Sequence, residues 1–314
     1  MPNYNYLYSF NYDSHNSELC KLESRQIFNQ SEKYKILFSD IKIDPSISPF
    51  IKNRFEIITS SDSYTNLITN IKEEDIHIDG FKAEYLILDG DNTDYDERRK
   101  KLKDVGYSIV GEPDFENPSI IYSICIYNNI WYFGVLIKHN MEWQKHKKKP
   151  FSFSNSIGMD IAKTLVALTS KGDKSKKLLD ACSGVGTVIL EACIAGFNIE
   201  GCDINPKRYE QTLKNIKHYD YTSNIYCKDI KDHVGSYDCA IVDLPYNLYS
   251  LVDDSTTEHI INSTVKLSER VIIVSTSDIK DTIKKSGLKV KDFCIVEKRG
   301  KSKFSRKIWV CEKE

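Results

Sequence analysis

"LLDACSGVGTVILEA", Leu178–Ala192, decides the fold. Its opening residues form a short apolar run that ends in Asp180. A turn carrying Gly184 and Gly186 follows, and helical periodicity begins near Thr187 and closes at Gly196. Glycines let a backbone pass close to a ligand, and the start of a helix offers free N–H groups. The turn is not G-x-G-x-x-G, because Ile189 stands where the third glycine would be. Nor is it a P-loop, since no Gly-Lys-Ser/Thr follows. A pyrophosphate-bearing cofactor is therefore disfavoured.

Outward from this turn, strand and helix patterns alternate to the end of the chain. "NIEGCDI" reads as the next strand and "NPKRYEQTLKNIKHY" as the next helix, with Asn205 as N-cap and Pro206 at the first helical position. "NIYCKDI", "SYDCAIVDL" and "RVIIVST" are further strands, with "STTEHIINSTVKLSE" and "SDIKDTIKKSG" as helices. "VKDFCIVEKR" and "SRKIWVCE" close the pattern as an antiparallel pair. This predicts an α/β fold with a Rossmann-like, mostly parallel seven-stranded sheet. Residues 1–140 read differently, as small α+β modules, with a hairpin centred on Asn128-Asn129.

The 314 residues are 40% hydrophobic and 28% charged, the composition of a globular protein with an ample core. No apolar run approaches the ~18 residues of a membrane span, and no signal peptide is visible, so the expected location is the cytoplasm. The nine cysteines form no C-x-x-C pair and lie in apolar contexts, so they read as buried reduced thiols rather than metal ligands. A net charge of −1 hides an asymmetry. Residues 1–140 hold 15 Lys+Arg against 22 Asp+Glu, and the remainder 29 against 23. Two basic runs, "KHKKK" and "KRGKSKFSRK", make a polyanionic partner plausible.

Three aspartates fall at the ends of three successive strands: Asp180, Asp203 and Asp229. Ligands of open α/β sheets sit at such strand ends. Asp180 suits a cationic ligand such as a sulfonium bearing an amino acid. Asp203, 23 residues after Asp180, is placed to take both ribose hydroxyls, and Asp229 to face an adenine edge. Ile204 and Ile230 are apolar neighbours for the ring. Together with Ser183, Gly184, Gly186 and Thr187 of the turn, these residues predict an S-adenosylmethionine site.

The fourth strand runs into "VDLPYNLYS", Val242–Ser250. Asp243 and the Leu244 carbonyl can each accept a hydrogen bond from an exocyclic amine. Pro245 has no competing N–H and stiffens the turn. Tyr246 offers a face for stacking a base. Methyl transfer to such an amine relies on positioning and charge complementarity.

"LDACSGVGT", "GCDINPKR" and "DLPYN" together resemble the Rossmann-like RNA methyltransferases that act on exocyclic guanine nitrogens, and most of all the THUMP-containing tRNA guanosine N2-methyltransferases. Asp180, Gly184, Gly186 and Thr187 match the family's first motif, while Ala181 and Val185 depart from it. Asp243, Pro245 and Tyr246 match the catalytic motif, with Leu244 in place of a proline. "SNSIGMDIAKTLVAL" resembles the helix that packs near the methionine end of the cofactor.

The resemblance implies a ferredoxin-like module over 1–48, a THUMP-like RNA-binding module over 49–140, a linker over 141–155 and the methyltransferase domain over 156–314. It also implies a tRNA partner, gripped largely by shape and phosphate contacts. Lys145, Lys147, Lys148, Lys298, Arg299, Lys301, Lys303 and Arg306 are the candidate phosphate ligands. Neither a membrane, a metal nor a second copy of the chain is called for. The competing readings are a ribosomal RNA guanine-N2 or nucleic-acid adenine-N6 methyltransferase, and a catalytically silent RNA-binding factor.

Overall fold

The structure is a computed structural model and describes residues 4–153, 156–245, 254–297 and 305–313. The first half of the chain lays down β1 (Tyr6–Phe10), α1 (Ser17–Phe28), β2 (Ile36–Ser39), β3 (Ile51–Ser61), α2 (Tyr64–Glu73), β4 (Phe81–Tyr85), α3 (Tyr95–Gly106), β5 (Ile120–Tyr127) and β6 (Ile130–Lys138). The second half adds α4 (Met159–Ser170), β7 (Lys177–Asp180), α5 (Thr187–Ile194), β8 (Asn198–Asp203), α6 (Pro206–His218), β9 (Asn224–Cys227), β10 (Tyr237–Asp243), α7 (Asp254–Val265), β11 (Ser268–Ser275), α8 (Lys280–Lys285), β12 (Leu288–Glu297) and β13 (Ser305–Lys313).

Two compact units result. One comprises residues 1–11, 32–46 and 50–140, the other 12–31, 47–49 and 141–314. Among the described residues, the first unit holds a six-stranded sheet ordered β2-β1-β3-β6-β5-β4. Leu67, Ile71 and Val105 from α2 and α3 cover one side of it together with Phe81, Ile124 and Phe133. Asn128 and Asn129, with φ of 49° and 61°, turn β5 into β6 as a two-residue hairpin. The boundary expected at residue 48 falls inside this sheet, because β1 pairs with β3 through Leu7 and Phe55. Residues on both sides of it therefore share one core.

In the second unit the described strands form a seven-stranded sheet ordered β12-β13-β11-β10-β7-β8-β9. Strands β7 to β11 run parallel, and β13 is antiparallel to both β11 and β12. Ala240, Val242, Val271 and Ile273 join a cluster with Ile260 and Ile261 of α7 and Ile283 of α8. Side chains alternate along a strand, so Ile241 and Ile272 point to the other face, and they too are fully buried. Double coverage explains why these strands read as unbroken apolar runs. Each such side chain contributes about 1.5–3 kcal/mol.

Helix α1 belongs to this second unit although its neighbours in sequence do not. Arg25 binds Asp292 of β12 through two hydrogen bonds of 3.0 and 2.9 Å, and Gln26 adds a third at 3.0 Å. The stretch expected as a linker is also packed here. Residues Glu142–Lys148 form a 3-10 helix that buries Trp143 and His146. The His146 Nδ1 lies 2.7 Å from Oε1 of the fully buried Glu191. Among the described residues no helix is long and apolar enough to cross a membrane.

Candidate functional site

Parallel strands end on one edge of their sheet, and here the ends of β8 and β10, with the turns after β7 and β9, enclose a crevice of about 520 Å³. The turn after β7 forms its base. Gly184 and Gly186 both hold positive φ, 56° and 78°. A Cβ on Gly186 would lie 2.7 Å from the Thr212 methyl, so only glycine fits. Two side chains of α6 lock the turn from behind. Thr212 Oγ1 donates to the Gly184 carbonyl at 2.8 Å, and Asn215 Nδ2 to the Val185 carbonyl at 2.8 Å. Thr187 starts α5 and is buried. Ser183 is buried with its Oγ unpartnered.

Asp203 projects into the crevice from the end of β8. Its Oδ2 accepts from the Gly184 N–H at 2.8 Å and its Oδ1 from the Asn205 N–H at 2.8 Å. These bonds fix the carboxylate while leaving each oxygen a free lone pair. Burial nevertheless pushes its carboxyl up, against the pull of both N–H donors and of Arg208. Asn205 caps α6 through its side chain, with Pro206 at the first position. The neighbouring Ile204 is largely exposed, an apolar side chain presented to the crevice.

Asp229 lines the wall beside Ile230. Its Oδ1 accepts from the Lys231 N–H at 3.0 Å and lies 2.9 Å from His259 Nε2. Burial opposes its charge. The Lys231 N–H, His259 and the Lys231 ammonium outweigh that, and the carboxyl stays below its usual range.

Asp243 closes the crevice from the end of β10, followed by Leu244 and Pro245. Its Oδ1 is buried and makes no hydrogen bond. Burial pushes its carboxyl up to about 7, and Arg306 is the charge that opposes the rise. Asp180, at the end of β7, is buried rather than part of the lining. Burial first, then the charges of Asp243 and Asp203, drive its carboxyl well above the usual range. One carboxyl group in the lining, Asp243, and a second buried outside it, Asp180, thus carry too little compensation, an arrangement that favours a cation.

Several lining residues had no signal in the sequence motifs. Phe153 and Arg208 stack at the rim, with the guanidinium carbon 3.4 Å from the ring centroid. Thr256 and His259, one helical turn apart on α7, line the wall. Thr212 and Asn215 could have been found as polar residues on the apolar stripe of α6.

Among the basic residues predicted to contact phosphate, Lys145, Lys147 and Lys148 are exposed, but outside the crevice lining. Arg306 is buried on β13, its Nη2 3.5 Å from the Ser156 carbonyl, so its guanidinium faces the protein rather than solvent. Tyr246, Lys298, Arg299, Lys301 and Lys303 lie outside the described residues. Among the described residues no group of three or more His, Cys, Asp or Glu could hold a metal ion.

No family model matches the chain. Over 120 residues it is 28% identical to tRNA (guanine(10)-N2)-dimethyltransferase from Methanothermobacter thermautotrophicus, a match that covers 37% of this chain. The chain spans about a third of that relative's length, 35%. Among solved structures, TrmN from Thermus thermophilus is similar over 98% of this chain and 99% of its own, with 13% identity and a TM-score of 0.49. A putative RNA methyltransferase from Pyrococcus horikoshii is similar over 55% of this chain and 96% of its own, with 14% identity and a TM-score of 0.45. Magnesium protoporphyrin IX methyltransferase from Synechocystis PCC 6803, with bound SAM, is similar over 56% of this chain and 93% of its own, with 16% identity and a TM-score of 0.43.

Proposed function

We propose that the chain is an RNA methyltransferase that uses S-adenosylmethionine and acts on the exocyclic N2 of a guanosine in tRNA. The observation that carries this reading is the placement of Asp243. Its buried, unpartnered Oδ1 shares one crevice with the Gly184 turn and with Asp203. Such an acceptor lacks a donor, and the amine of a base supplies one.

The residues fit the cofactor. The free lone pairs of Asp203 suit the two ribose hydroxyls, Ile204 and Ile230 suit the faces of the adenine, and Asp229 suits its amine. Asp180 and Asp243 suit the positive sulfonium end, with the unpartnered Ser183 hydroxyl close by in the turn. When bound, the sulfonium supplies an electrophilic methyl group. The chain's own part is orientation. Asp243 and the Leu244 carbonyl hold the amine so that its lone pair faces that methyl, and Asp243 then takes the proton released from nitrogen. Burial gives its carboxyl the basicity for this near neutral pH.

Tyr246 belongs to this reading as the platform for the base. Lys298, Arg299, Lys301 and Lys303, with Lys145, Lys147 and Lys148, serve as phosphate contacts. The unit formed by residues 1–11, 32–46 and 50–140 serves as the tRNA-gripping, THUMP-like part, in the cytoplasm. Similarity to the tRNA guanine-N2 dimethyltransferase supports the choice of base and RNA.

The test is transfer of labelled methyl from S-adenosylmethionine to unmodified tRNA, with the nucleosides resolved by mass spectrometry. N2-methylguanosine is the expected product. Label in N6-methyladenosine, or in ribosomal RNA alone, would overturn the substrate, and failure to bind S-adenosylmethionine would overturn the enzyme reading.

A further inference from the structure

His259 lines the crevice, and the proposed reaction leaves it without a role. It sits on α7, with Thr256 and Ile260 of the same helix also in the lining, and its side chain is 40% exposed. Its Nε2 is 2.9 Å from Asp229 Oδ1. A carboxylate only accepts, so Nε2 carries the proton and donates. The Lys231 N–H donates to the same oxygen at 3.0 Å, and the Lys231 ammonium stands 3.9 Å from Oδ2. Oδ1 is thereby occupied by two donors, whereas Oδ2 keeps its acceptor capacity toward the crevice.

On the reading that this crevice takes an adenosyl group, we infer that His259 is a positioning residue for base recognition. By pinning Oδ1 it turns Oδ2 toward the purine 6-position, so that the site accepts a 6-amino purine and rejects a 6-oxo purine. The chemistry is asymmetric. An amine donates to Oδ2, while a carbonyl presents an acceptor to an acceptor at the half-buried carboxylate. Without the imidazole, Asp229 retains the Lys231 N–H as its neighbour. It then has freedom to rotate, and the penalty against the wrong base falls.

Titration calorimetry of the full chain with S-adenosylhomocysteine and S-inosylhomocysteine tests this without relying on activity. The native chain should prefer the adenosyl compound by about a hundredfold or more. His259→Ala should reduce that preference by about tenfold, the weight of one hydrogen bond to a charged group. His259→Gln places an amide N–H near the position of Nε2 and should keep most of the preference. Equal weakening of both compounds in His259→Ala, leaving their ratio unchanged, would make His259 a merely structural residue and overturn the inference alone. Binding of neither compound by the native chain would overturn the cofactor reading and the inference together.

Discussion

The Thr212 hydroxyl donates to the Gly184 carbonyl at 2.8 Å, so one side chain of α6 holds the turn that follows β7. The methyl of the same residue fills the space next to Gly186 where a Cβ would stand. A Gly186→Ala chain meets both that methyl and a positive φ. It should lose about 1–3 kcal/mol of stability and bind S-adenosylmethionine more weakly. Thermal unfolding and calorimetry read the two effects. Adding Thr212→Ser, which removes the methyl and keeps the hydroxyl, should restore part of the loss.

Asp243→Asn keeps the shape of the side chain and removes its ability to take a proton. Methyl transfer should fall by about 10²–10⁴-fold, with the cofactor still bound. An Asn chain that retained full activity would remove Asp243 from the chemistry.

Acid–base behaviour follows from the direction of the shifts at Asp243 and Asp180. Both carboxyls are raised in the native chain, Asp243 to about 7, above their values in an unfolded one. At Asp243 the native state therefore holds a proton that the unfolded state has released between about pH 4 and pH 7. Stability contributed by the protonated Asp243 carboxyl is present in acid and is lost as pH rises through 7, and Asp180 acts in the same direction. Asp243→Asn should flatten part of that slope in denaturant titrations. Binding a sulfonium favours ionised carboxylates, so affinity for S-adenosylmethionine should rise with pH through 7. Affinity for the neutral S-adenosylhomocysteine should stay nearly level, and calorimetry at several pH values separates the two.

His146→Ala leaves Glu191 fully buried with its Nδ1 partner gone. The other carboxylate oxygen already lacks a hydrogen bond, and the Lys163 ammonium is 3.9 Å away. Leaving a buried acceptor without its hydrogen-bond donor costs about 1–3 kcal/mol, and the fall in unfolding free energy should be of that size. The exposed Lys147→Ala and Lys148→Ala changes on the same 3-10 helix should leave stability nearly unchanged.

Much of the second unit was legible because strands covered on both faces must be apolar throughout, as in "CAIV" before Asp243. Their punctuation is equally physical: Gly184, Gly186, and Asn205 ahead of Pro206. The ends of such strands announced Asp203 and Asp243 as crevice residues, while Asp229 lies two residues beyond the edge strand β9, as the cap of a 3-10 turn. Order within the sheet was not legible. A short connection says that β12 and β13 are antiparallel, but nothing local says that β13 inserts between β12 and β11. Contacts made across the chain were hidden for the same reason. The stack of Phe153 on Arg208, the reach of His259 to Asp229 and the inward turn of Arg306 depend on which helices and strands become neighbours. Lysines 145 to 149 looked like a solvated spacer because charge dominates their composition. Two residues among them and before them, His146 and Trp143, carry the burial.

Arg25 and Asp292 are 267 positions apart and join α1 to β12. The helix is made well before its partner strand. During synthesis α1 can first pack on α4, but its β12 side stays uncovered until the residues up to 292 have emerged, while strands on both sides of it commit to a different sheet. A cut at residue 140 would therefore not free a complete second unit. The returned piece would lack a helix of its own core, and the two units are inseparable as genetic modules even though each has a sheet to itself.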